Sequence, residues 1–167
     1  MPDIDAYIQP ADASDWLASH VVFIAPWTAA TADQKAAALV EASDHIDTLP
    51  LKGVRYSVSQ TREFPRIPPL EMRRVPEDSE MLFQCAAADY GNVPQVIKDA
   101  CCLEALEILR QGASGGRDGL RAQGVKQYSI GGKLSETLTN PETVSGLMSR
   151  AASKKVQFWV AHAVEAV

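Results

Sequence analysis

Cysteine is scarce in this chain and poorly placed for bridging: Cys101 and Cys102 are adjacent, and Cys85 stands apart. An odd count without a Cys-x-x-Cys pair argues against a disulfide framework and a dithiol redox motif. It predicts small buried thiols in a reducing compartment. Long apolar runs are missing too, and none approaches the roughly 18 residues expected of a membrane span. The opening Met1-Pro2-Asp3-Ile4-Asp5 has neither a basic start nor an apolar stretch, which argues against a signal peptide. These absences together predict a soluble protein, made in the cytoplasm, with no membrane partner. Positive charge is also short, with 16 Lys and Arg against 21 Asp and Glu and a net charge of −5. A dedicated nucleic-acid binder is more often basic overall, because phosphate neutralisation drives that binding; local basic patches remain open.

Catalytic and cofactor signatures are equally thin. Gly131-Gly132-Lys133-Leu134-Ser135 is a poor phosphate loop, since a true one places Ser or Thr directly after the lysine and Gly four residues before the Gly-Lys pair. The glycine-rich run from Gly112 to Gly119 lacks the same ending and reads as a flexible loop. His20, His45 and His162 are far apart, and Asp44, His45 and Asp47 do not share one helix face as metal ligands would, so His45 is expected on a solvated face. No Gly-x-Ser-x-Gly elbow occurs, and no carboxylates stand out as an acid/base pair. The expectation is a protein without catalytic residues, cofactor or metal.

What is present is a helical pattern. At 167 residues and 46% hydrophobic, the chain suits one domain with a genuine core. Residues 10–20 predict a short helix capped by Asp12 or Ser14, anchored by Trp16 and Leu17. Thr31 and Gln34 form a capping-box pair before Ala36, Leu39, Val40, Ser43, Ile46 and Leu49 at helical spacing; Pro50 and Gly53 close that helix. Residues 93–111 predict the central helix, with Asn92 as cap and Pro94 in the first turn. Its stripe of Ile97, Cys101, Ala105 and Ile108, widened by Val96, Ala100, Leu103 and Leu106, suggests packing on two sides. Residues 125–139 alternate about Gly131-Gly132 and predict a β-hairpin. Asn140-Pro141-Glu142 predicts a last helix through Val144, Leu147, Met148 and Ala151. The expected fold is mainly α: a small helical bundle with one β-hairpin over 1–139, and a C-terminal docking helix or arm over 140–167.

Two stretches draw a functional question. Residues 54–80 are proline-rich and read as an extended connector with a short strand at Val54 to Val58; a helical turn or two over 81–88 follows. With Lys52, the connector is locally basic and carries Tyr56 and Phe64, so Lys52, Arg55, Arg62 and Arg66 could touch phosphates while the rings stack on bases. The competing reading is a solvated loop whose cations pair with acidic neighbours such as Glu63 or Glu71. The second stretch, Val156 to Val167, is unusually apolar; Phe158 and Trp159 are either core or an anchor in a partner's groove.

The pieces come in a telling order. An Ala13-to-Leu17 segment with Trp16-Leu17 precedes Trp27 and the Ala-Leu helix to Leu49. Gln60 and Phe64-Pro65-Arg66 follow, then Pro94 to Cys101, then Gly124-Val125 and Ile130-Gly131. Over about residues 10–135 this resembles the DnaT-like single-stranded-DNA-binding proteins of tailed phages and prophages, whose layout is similar to the head–tail connector (adaptor) proteins of long-tailed phages. The resemblance implies a structural virion protein of the phage neck, made in the host bacterium. Its implied partners are a portal protein, identical subunits in a dodecameric ring, a downstream neck or tail-completion protein, and genomic DNA passing through the lumen. Because such adaptors dock on the portal through a C-terminal arm, Val156, Phe158, Trp159, Val160 and Val164 become the expected portal-facing residues. The chain departs from the family pattern after about residue 140. The alternative is a replication accessory protein holding single-stranded DNA through Lys52, Arg55, Arg62 and Arg66.

Overall fold

The computed structural model describes residues 4–69, 90–113, 127–130, 134–137 and 146–161. Among these, five helices and two small antiparallel ladders appear, so the fold is mainly α.

Helix α1 (Pro10–His20) begins at Gln9 rather than at Asp12 or Ser14, with Pro10 in the first turn, where its missing N–H costs nothing. Ser14 serves a different purpose: its hydroxyl donates to the Pro10 carbonyl at 2.7 Å and accepts from Trp27 Nε1 at 3.1 Å. Helix α2 (Ala25–Ala29) is a single short turn that the sequence reading passed over; it carries Trp27 into the core. Helix α3 (Ala32–Asp47) starts with the expected capping box. Thr31 Oγ1 accepts from Gln34 N–H at 3.2 Å, and Gln34 Oε1 accepts from Thr31 N–H at 2.8 Å. It buries Ala38, Leu39, Ala42, Ser43 and Ile46.

Helix α4 (Gln95–Ala113) is the centre of the molecule, packed by α3 on one side and by the last helix on another, as its wide apolar face predicts. Ile97, Ala100, Cys101, Cys102 and Ala105 are fully buried along it. Removing each large apolar side chain from water contributes about 1.5–3 kcal/mol, so this helix organises the core.

The strand expected at Val54 to Val58 is shorter than that: β1 (Val54–Arg55) pairs antiparallel with β2 (Arg66–Ile67), in register Val54 to Ile67 and Arg55 to Arg66. Gly53 turns into it at φ +78°, where a Cβ would fall 2.2 Å from the Ile67 carbonyl oxygen. The expected hairpin is present as β3 (Gln127–Ile130) and β4 (Leu134–Thr137), paired from Gln127–Thr137 to Ile130–Leu134. Its glycine turn, the helical turn expected over 81–88, Cys85, and the Gly115-to-Gly124 loop lie outside the described residues.

The last helix differs from expectation. α5 (Arg150–Val156) starts at Ser149, whose hydroxyl accepts from Ala152 N–H at 3.2 Å; Leu147 and Met148 precede it and are not helical. Two features set this start, one local and one distant in sequence. Gly146 adopts φ +107°, and the carboxylate of Glu104 on α4 accepts from Met148 N–H and Ser149 N–H, each at 2.8 Å. The proposed start at Asn140-Pro141-Glu142 lies outside the described residues.

Candidate interaction surface

The loop from Leu51 to Ile67 carries most of the residues singled out above, and its own side chains hold it in shape. Gln60 is the spool. Its oxygen accepts from Ser57 N–H at 2.9 Å, and its amide donates to the carbonyls of Arg62, Glu63 and Pro65 at 2.8, 3.2 and 3.0 Å. The Gln-x-x-x-Phe-Pro-Arg spacing is therefore a folding device. It leaves Gln60 close enough to reach three carbonyls, of which those of Arg62 and Glu63 lie outside any helix or strand.

Arg62 faces α3 and the segment before α1. Its guanidinium bonds Asp47 at 3.1 Å and Asp5 at 3.3 Å, and also reaches Asp44 and the Asp5 carbonyl. Partial burial opposes the charge, but hydrogen bonds to Asp44 and Asp47 and the charge of Asp5 outweigh it, so the Arg62 pKa is raised. Glu63 bonds Arg55 at 2.9 Å and also Arg66; the Arg55 hydrogen bond above all holds its carboxyl below the usual glutamate range. Arg66 is buried, and it donates to the carbonyls of Lys52, Gly53 and Leu51 at 2.9, 2.7 and 3.3 Å. Lys52 Nζ donates to the Phe158 carbonyl at 3.1 Å and lies 6.0 Å from that ring. Lys52, Arg55, Arg62 and Arg66 thus all have partners within the chain. Arg55 alone keeps a well-exposed side chain, 44% accessible.

Phe64 sits at the centre of the loop. Its ring meets Tyr7 edge-on at 5.9 Å and Trp159 edge-on at 5.1 Å. The Tyr7 hydroxyl accepts from Phe64 N–H at 3.2 Å and donates to Asp47. Burial first, and then the bond to Asp47, raise the Tyr7 pKa, so the phenol stays protonated.

The apolar C-terminal stretch packs inward. Val156, Trp159 and Val160 are buried, Trp159 to 1% exposure, while Phe158 is partly buried; Val164 lies outside the described residues. Backbone bonds from Lys52 N–H to the Trp159 carbonyl and from Ala161 N–H to the Pro50 carbonyl, both 2.7 Å, fasten this stretch to the loop corner. The stretch 156–161 is therefore packed as part of the folded body. Val156, Trp159 and Val160 complete the core and have no free surface for a portal, and removing 156–161 opens that core.

Sequence reasoning missed Glu104. It is fully buried, and its carboxylate also accepts from His45 Nδ1 at 2.9 Å. His45 is therefore an internal partner rather than a solvated side chain. The signal was available, since Glu104 lies seven residues after Ile97 and three after Cys101, on the apolar stripe itself. An acid there must find partners. Cys101 and Cys102 are buried free thiols, and burial pushes the Cys101 thiol up to about 11.

Facing outward is a different set. Val54 and Tyr56 are 63% and 54% exposed and Val58 is fully so; Val22 and Phe23 protrude between α1 and α2. Among the described residues no group of three or more His, Cys, Asp or Glu could hold a metal. No helix there is long and apolar enough to cross a membrane.

The family model described as "Putative DnaT-like ssDNA binding protein" matches residues 1–165. The chain belongs to this family. No curated protein and no solved structure matches it. The Gln60 spool and the Phe64-Pro65-Arg66 corner thus give the order of motifs in this DnaT-like chain a structural meaning: they fasten the loop to the helical body.

Proposed function

We propose that this DnaT-like protein is a non-enzymatic assembly part, the adaptor of a phage neck that forms a ring between portal and tail. The observation that carries this reading is the exposed apolar row Val54, Tyr56 and Val58 on a loop fixed by the Gln60, Arg62 and Glu63 networks. The Tyr56 N–H continues the ladder to the Pro65 carbonyl at 3.0 Å, so Val54 and Tyr56 stand on one face. Exposed apolar side chains grouped on a rigid platform support binding to another protein, because they present area without an ordering cost on contact. With Val156, Trp159 and Val160 turned inward, this row is the better candidate for the portal or for the neighbouring subunit. An acidic balance suits a lumen through which genomic DNA slides without sticking. Cross-linking mass spectrometry on purified particles from the producing host tests the proposal. Links from the exposed Lys154, or from Lys52 beside the row, to a portal and between identical subunits are expected. Absence of the protein from the particles would sink it.

A second reading, single-stranded-DNA binding in replication, is favoured by the family's description. It requires affinity for an oligonucleotide that falls steeply with salt. Because Arg62 and Arg66 hold the loop together, their loss would unfold it and would not report on DNA contact.

A further inference from the structure

A cleft of about 320 Å³ opens between the start of α1 and the start of α4, away from the loop just described. Trp16, Asp12, Lys98 and Gln95 line it, together with Gln9 and the backbone neighbourhood of Tyr7. Trp16 is the partly buried tryptophan of the chain; Trp27 and Trp159 are buried. Its ring already shows the stacking such a surface supports, since His20 lies parallel to it at 4.6 Å and 6°. Gln9 is a rigid wall, bonded both ways to the Ile4 backbone at 3.2 and 3.0 Å, and Gln95 is held to Asp99 at 2.9 Å.

Lys98 and Asp12 are not engaged in this way. Both line the cleft, and neither side chain has a hydrogen bond or ion pair among the described residues, not even with the other. The loop cations Lys52, Arg55, Arg62 and Arg66 are all engaged. A free ammonium, a free carboxylate and an indole around one nucleotide-sized space match three parts of one ligand. The ammonium suits a phosphate, the indole suits a base plane, and the carboxylate suits an exocyclic amino group.

We propose that this cleft holds one nucleotide of a single-stranded DNA, with its base against Trp16, its phosphate at Lys98 and its amino group at Asp12. The proposal rests on the second reading above and moves the contact from the arginine loop to this cleft. It also assigns a preference, because thymine has no exocyclic amino group for Asp12 and cytosine does.

Quenching of tryptophan emission on titration with oligo(dC) and oligo(dT) at low salt tests it. Tighter binding of oligo(dC) is expected, reported by Trp16 because the other two tryptophans are buried. Lys98→Gln should weaken both oligonucleotides and lower the log–log salt slope by about 0.7, the share of one phosphate. Asp12→Asn should remove the preference for oligo(dC). Trp16→Leu, which removes the reporter, should weaken binding by about 5- to 100-fold when followed by the anisotropy of a labelled oligonucleotide. Lys98 and Asp12 support no internal bond, so those two variants carry the test even where Trp16→Leu lowers the melting temperature. Salt-sensitive binding that none of the three variants changes would overturn the cleft while leaving the DNA reading standing. Failure of every oligonucleotide to bind at low salt would overturn both. Equal affinity for free dCMP and for the oligomer would replace the strand with a lone nucleotide and overturn the proposal as stated.

Discussion

Replacing Glu104 tests whether one buried carboxylate joins three parts of the molecule. Its oxygens accept from His45 on α3 and from the N–H groups of Met148 and Ser149 ahead of α5, at 2.8–2.9 Å. In Glu104→Ala the buried Ser149 N–H loses its acceptor at about 1–3 kcal/mol, and the hydrogen bond to His45 goes with it. Met148 is partly exposed, and water can recover its N–H. The expected total is about 3–5 kcal/mol, the range seen when one partner of a buried pair is removed. For a domain of this size that lowers the melting midpoint by roughly 6–20 °C. Glu104→Gln keeps one accepting oxygen but turns an amide donor toward another donor, so it should fall between at about 1–3 kcal/mol. Urea unfolding followed by tryptophan emission measures both, and a double-mutant cycle with His45→Ala isolates that pair. A Glu104→Ala penalty below about 1 kcal/mol would refute the reasoning, because it would mean that the N-terminal end of α5 finds water as good a partner as the carboxylate.

Three further outcomes follow from the same packing. Trp159→Ala should cost about 3–5 kcal/mol, and a chain ending at residue 155 should lose its cooperative unfolding transition; a truncated chain that melts like the full one would show that this stretch is not part of the core. Glu63 is held below its ordinary value of 4.5, chiefly by the Arg55 hydrogen bond. A depressed carboxylate contributes stability above its unfolded pKa and loses it as pH falls through the folded one. The stability difference between wild type and Glu63→Gln should therefore be full at pH 6 and vanish on acidification below that lowered value; a difference independent of pH would count against the ion pairs. Cys101 and Cys102 are buried with raised thiol pKa values, so a disulfide reagent at pH 8 should leave both unmodified until urea is added.

The helices were legible where local chemistry decides them. Thr31 and Gln34 form their box within four residues, and the α4 stripe repeats often enough to announce two-sided burial. The hairpin was legible for the same reason, as alternation about a glycine pair. The start of α5 was not. It depends on Glu104, more than forty positions away in sequence, and no periodicity encodes which amide a distant acid will take. The basic loop misled in a related way. Composition shows Arg62 among other cations, but its fate depends on Asp5, Asp44 and Asp47 arriving beside it from two other segments. The cleft was invisible because Asp12 and Lys98 come from different helices and are brought together only by the fold. The aromatic pair at Phe158 and Trp159 had two open readings, and burial of Trp159 selected the inward one.

Phe64 has a consequence for the order in which the molecule opens. Its ring is clasped by Tyr7 from ahead of the first helix and by Trp159 from beyond the last, so early and late parts of the chain meet on one residue in a loop. Irregular segments usually breathe first, and their amide protons exchange within the fast fraction. Here the amide of Phe64 is bonded to a buried phenol, and the segment around it can loosen only after both aromatic neighbours have withdrawn. Its proton should therefore leave with those of α4, among the slowest in the protein, and the loop should time the global event rather than precede it.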